Sequence, residues 1–73
     1  SHPPADDKFE RERVRDALRL LTPDQRQVIV LRFIEDWSIE DIARLLDKPV
    51  GAVKALQHRA IGTLRKILVP DEE

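Results

Sequence analysis

Residues 48–60, Lys48-Pro49-Val50-Gly51-Ala52-Val53-Lys54-Ala55-Leu56-Gln57-His58-Arg59-Ala60, decide how the rest of this 73-residue chain is read. Pro49 ends whatever helix precedes it, because the residue before a proline is pushed out of the α region. From Val50 or Gly51 to Leu68, apolar residues then recur at the spacing of a helix. Val53, Leu56, Ala60, Ile61, Leu64, Ile67 and Leu68 fall on one stripe centred near Val53. The opposite face carries Gly51, Lys54, Ala55, His58, Arg59, Gly62, Arg65 and Lys66, all basic or small. Gln57 is the misfit, an amide on the apolar stripe that needs hydrogen-bond partners if buried. Residues 48–69 hold five basic side chains and no acid.

Outward toward the N-terminus, Asp36-Trp37-Ser38 punctuates the chain. Ser38 is a good N-cap, with Asp41 at the third helical position. Trp37 and Ile42 stand at the spacing of a hydrophobic staple. A short helix is expected from Ile39 to Leu46, with Ile39, Ile42, Ala43 and Leu46 inward. Leu46-Asp47-Lys48-Pro49 forms the turn into the last helix. A bracing helix, a tight polar turn and a second helix with a basic outer face read as a helix-turn-helix, whose second helix lies in a DNA groove.

Further back, Leu21-Thr22-Pro23-Asp24-Gln25 is a break and a restart. Thr22 is suited to N-capping, Pro23 to the first helical position, and Gln25 completes a capping box. The helix it opens is expected to run to Ile34 or Glu35. A strand is the rival reading of the apolar run 28–34, but the cap signals favour helix. Residues 7–21 read as a first helix, with Asp7 as N-cap and Val14, Ala17, Leu18 and Leu21 as its buried stripe. Residues 1–7 read as a disordered linker or tail, residues 8–69 as the domain and residues 70–73 as an acidic tail. The fold class expected is all-α, a four-helix domain with a C-terminal helix-turn-helix, of the winged-helix-like class without a wing.

Composition narrows the function classes. A chain of this length makes one small domain with a thin core. It has no cysteine, hence no disulfide and no thiolate metal site, and its two histidines do not make a metal site. No apolar run approaches a membrane span, and no signal peptide is read, so a soluble, cytoplasmic protein is expected. The net charge of −1 conceals a segregation: +1 over 1–34, −4 over 35–47, +5 over 48–69 and −3 over 70–73. Binding to a polyanion is judged by such local fields. His58 stands alone on the basic face, without a cysteine, a paired carboxylate or a phosphate loop, so no enzyme and no cofactor is read.

The residues also carry a family likeness. Leu21-Thr22-Pro23 with Arg26, then Leu31-Arg32, Ser38 with Glu40-Asp41-Ile42-Ala43, Val50 to Lys54, and His58-Arg59-Ala60 together resemble the C-terminal DNA-binding domain (region 4) of bacterial RNA polymerase sigma factors. The chain is most similar to the extracytoplasmic-function group, over about Val14 to Leu68. The resemblance implies binding to the minus-35 promoter element within the polymerase holoenzyme. It also implies docking on the flap of the polymerase β subunit, and in many relatives an anti-sigma factor that covers these surfaces. It places Lys54, Ala55, His58 and Arg59 where similar proteins touch bases and backbone in the major groove.

Three departures stand inside that helix: Ala55 where serine is frequent, Leu56 where arginine is, and Gln57 where leucine is. In the turn, Asp47 replaces a common glycine. Lys48, beside the turn, is placed to reach phosphate, and Gly51 to offer its backbone N–H at the helix N-terminus. The acidic segment 35–47 is expected to stay off the DNA. Two other readings stand beside this one: the helix-turn-helix output domain of a response regulator, and a helical protein-interaction module bound by an anti-sigma factor. The isolated domain is expected to be monomeric.

Overall fold

A computed structural model describes residues 4–69, with side chains described from Lys8 onward. Four helices form an all-α fold: α1 (Pro4–Arg19), α2 (Pro23–Ile29), α3 (Ile39–Leu46) and α4 (Val50–Leu68). Among the described residues there is no strand.

The expected caps are present. The Thr22 hydroxyl accepts from the Gln25 N–H at 3.2 Å, and the Gln25 side chain accepts from the Thr22 N–H at 3.3 Å, a reciprocal capping box that opens α2. Ser38 opens α3 by accepting from the Asp41 N–H at 3.1 Å. Pro49, at φ −62° and ψ 150°, sets the start of α4 without any side-chain cap.

Three boundaries differ from expectation, the simplest being that α1 ends at Arg19, two residues before Leu21. Helix α1 begins at Pro4, so Asp7 lies inside it and does not cap it. A proline suits the first turn of a helix, where its missing N–H is not needed, and this outweighs the cap signal at Asp7. Residues 1–3 and the acidic residues 70–73 lie outside the described residues. The helix opened by Thr22 does not continue as α to Ile34. After Ile29 it widens into a π turn (Val30–Ile34), which the Glu35 N–H closes onto the Val30 carbonyl, five residues back, at 2.9 Å. Asp36 then takes a left-handed conformation at φ 65°, and the Trp37 N–H returns to the Leu31 carbonyl at 2.8 Å.

The core has two adjoining clusters. Val28, Ile42, Ala43 and Val53 form the first, with Leu31, Trp37, Ile39, Leu46, Val50 and Leu56 packed around it. Leu21, Ile29 and Ala60 form the second, flanked by Leu18, Ile61 and Leu64. The neighbours Val28 and Ile29 on α2 thus serve one cluster each. On α4, Val53 and Ala60 stand two turns apart and meet them. Trp37 packs on the cluster that contains Ile42, as the staple spacing anticipates.

The stripe expected on α1 is only partly buried. Ala17 and Leu21 are inside, but Val14 is 42% exposed. The Arg13 guanidinium already reaches the last carbonyl of α4, at Leu68, at 3.1 Å. Val14, one residue later, instead lines an open strip with Leu18 and Ile34, outside the two buried clusters. The π turn has a matching effect: Leu31 stays against the core, while Phe33 and Ile34 are turned out, at 57% and 61% exposed.

Gln57 is half-buried, and its Oε1 is buried without a hydrogen-bond partner among the described residues. A desolvated acceptor without a partner costs about 1–3 kcal/mol. Gln57→Leu is therefore expected to raise the melting temperature by about 4–8 °C for each kcal/mol recovered. Thermal denaturation followed by circular dichroism checks this; an unchanged or lower midpoint would mean that the amide is satisfied in solution.

Candidate nucleic-acid interface

The turn between α3 and α4 is built by Asp47. It adopts the left-handed conformation (φ 56°, ψ 50°) that a glycine would take without cost. This bends the chain so that the Lys48 N–H returns to the Ala43 carbonyl at 3.0 Å and the Asp47 N–H to the Arg44 carbonyl at 3.3 Å, a Schellman closure. Two residues later α4 starts at Val50, against the first core cluster.

Burial of Val53 and Ala60 fixes the rotation of α4 and so selects what faces out. Gly51, Lys54, His58 and Arg59 are exposed together on its N-terminal half. Ala55, on the same face, is half-buried. A methyl group added at Gly51 or Gly62 would meet nothing within 4 Å, so packing within the domain does not require either glycine. Among the described residues, Lys54, Arg59, Arg65 and Lys66 make no ion pair. Lys48 does: its Nζ stands 3.6 Å from an Oδ of Asp24, in the first turn of α2.

The acidic segment is not wholly remote from this face. Glu40, Arg44 and Asp47 share a shallow open groove with Lys48, Pro49 and Val50 at the start of α4. Arg44 is held by Asp41 on its own helix. The acids therefore border one end of the basic face.

The arginines that the sequence leaves unassigned turn out to join elements. The Arg26 guanidinium donates to the carbonyls of Leu18 at 3.0 Å, Arg19 at 3.4 Å and Leu21 at 3.1 Å. These carbonyls lie in and just after the last turn of α1, and the Leu18 carbonyl also accepts from the Leu21 N–H at 3.2 Å; Arg26 thus caps the end of α1 from α2. Arg32 similarly donates to the Trp37 carbonyl at 3.1 Å and steadies the loop before α3. Arg26 follows Leu21-Thr22-Pro23 closely in the sequence, but only the angle between α1 and α2 reveals its partners.

Residues 11–64 match the family model described as "Sigma-70, region 4". The chain belongs to the sigma-70 region 4 family. This decides between the sigma-factor and response-regulator readings. The region 4 chain is 44% identical over 57 residues to the ECF RNA polymerase sigma factor BldN of Streptomyces coelicolor, covering 78% of this chain and 21% of BldN. It is 43% identical over 70 residues to the RNA polymerase sigma-E factor of the same organism, covering 90% and 40%. With the ECF sigma factor SigX of Bacillus subtilis it shares 48% identity over 50 residues, covering 68% and 26%. The region 4 chain thus spans well under half the length of these relatives. A chain of the RsbN–BldN complex, solved at 1.8 Å, has the same fold, with a TM-score of 0.75 and 36% identity over 84% of this chain and 44% of that one.

Replacing Arg26 tests its capping of α1. Arg26→Ala is expected to lower stability by about 1.5–3 kcal/mol, the range for hydrogen bonds to charged groups. Arg26→Lys should recover little of this, since an ammonium does not span three carbonyls as a guanidinium fork does. Urea unfolding at constant m-value measures both. Wild-type stability in the alanine variant would mean that water serves these carbonyls equally well.

Proposed function

We propose that this chain is the promoter-reading module of an extracytoplasmic-function sigma factor, which enters the major groove of the minus-35 element with the N-terminal half of α4. The observation that carries the reading is the outward face of α4, basic and free of acid partners among the described residues, within a region 4 match that covers α3, the turn and α4 as far as Leu64. Lys54 and Arg59 have the length and charge to reach phosphates or guanine edges. His58 and Ala55 tune base choice; the methyl of Ala55 can pack on a thymine methyl, which a serine hydroxyl does less well. Gly51, with no neighbour that needs the space, lets the backbone come close to the DNA, and Lys48 flanks the same point. These roles require no enzymatic chemistry and no cofactor. No helix among the described residues is long and apolar enough to cross a membrane.

The same reading gives the domain protein partners on other faces. An apolar strip of Val14, Leu18 and Ile34 lies open between α1 and the π turn, bordered by Glu10, Arg11 and Arg15. It suits docking on RNA polymerase, where the resemblance implies the β-subunit flap, or coverage by an anti-sigma factor. The name of the RsbN–BldN complex supports such a partner for this chain by analogy.

In an NMR titration with duplexes of varied sequence, shifts confined to residues 48–62 are expected, and shifts centred on 23–35 would favour a protein-binding role instead. Lys54→Ala is expected to weaken binding to the best duplex by about 1–3 kcal/mol, with a smaller loss on random DNA, if it reads a base. An equal loss on both would restrict Lys54 to phosphate.

A further inference from the structure

Of the five basic residues in 48–69, only Lys48 is paired with an acid among the described residues, and that acid comes from another helix. Packing of α2 across α4 brings the first turn of α2 beside the turn that leads into α4. There the Asp24 carboxylate stands 3.6 Å from the Lys48 ammonium, with side chains 56% and 34% exposed. The pair is therefore open to solvent, and another anion can take the carboxylate's place. Lys48 directly precedes Pro49, after which the first N–H groups of α4 have no side-chain cap. A phosphate that docks at the start of α4 comes within reach of Lys48 and into the repulsive field of Asp24.

We propose that Asp24 is an internal competitor for DNA phosphate: it holds Lys48 in the free domain, must release it when a duplex docks, and so lowers the affinity of α4 for DNA of any sequence. The proposal rests on α4 being the DNA-binding element. Its consequence is a weaker grip on specific and random DNA alike, because a phosphate contact carries no sequence information. Discrimination between sequences stays with the base-facing side chains Lys54, His58 and Arg59. Asp24 also favours the positive end of α2, and a purely local helix-stabilising role is the competing explanation.

Fluorescence anisotropy of the 73-residue chain with a labelled random-sequence duplex, over a series of salt concentrations, separates the two. Asp24→Asn is expected to tighten binding about threefold to tenfold at low salt and to steepen the slope of log K against log salt by up to about one, as Lys48 becomes a full phosphate contact. Asp24→Ser, which retains a first-turn acceptor, is expected to do the same. In a Lys48→Met background the gain should fall below about twofold, the residue of long-range charge alone. Binding by Asp24→Asn and Asp24→Ser no tighter than wild type overturns the proposal, and so does an equal gain with and without Lys48. If Lys54→Ala and Arg59→Ala also leave duplex binding unchanged, the reading of α4 itself fails, and the role of Asp24 falls with it.

Discussion

Everything in this domain depends on how α2 lies across α4. Val28 and Ile29, adjacent on α2, each anchor a different cluster, and Val53 and Ala60 on α4 receive them. Ala60 matters because it is small: α2 and the end of α1 can approach α4 closely there, and the second cluster needs only Leu21 and Ile29 beside it. With Val53 fully buried, α4 has no freedom to rotate, and its basic residues face outward as a consequence of apolar packing. The charge pattern of the surface is thus set from inside.

The local grammar of this fold was legible in the sequence. The Thr22–Gln25 box, the Ser38–Asp41 cap, the left-handed Asp47 and the stop at Pro49 follow rules that operate within a few residues. The face of α4 was equally legible, since a helix of 19 residues gives its stripe many chances to declare itself. Gln57 stood out as an amide on that stripe, and its Oε1 is indeed buried and unpartnered among the described residues.

What the sequence did not reveal are the contacts made across elements. Periodicity marks Val14 as core, but burial also needs a covering partner, and Val14 faces the open strip it shares with Leu18 and Ile34. The sequence leaves Arg26 and Arg32 unassigned, and each donates to a carbonyl near a helix end or in a loop, as Arg13 does at Leu68. Asp24 read as part of a helix start, and its proximity to Lys48 depends on how α2 meets the lead-in of α4. The π turn is a further case. An apolar run from Val28 to Ile34 fits an α-helix equally well, and only the geometry of its closure at Glu35 and Trp37 shows the wider turn.

That turn changes how lengths should be compared among relatives. A π turn holds one residue more than the α turn it replaces. Here the surplus lies between Val30 and Ile34, beyond Val28 and Ile29 and ahead of Ser38. A relative that is one residue shorter in this interval can close an ordinary α turn while its two core anchors and its α3 cap keep their places. A single-residue gap there is then best placed inside the turn, with the residues on either side still in register. The apolar side chains of 33 and 34 are the ones whose outward direction such a gap would alter, so this interval is where closely related domains can differ in surface while sharing one core.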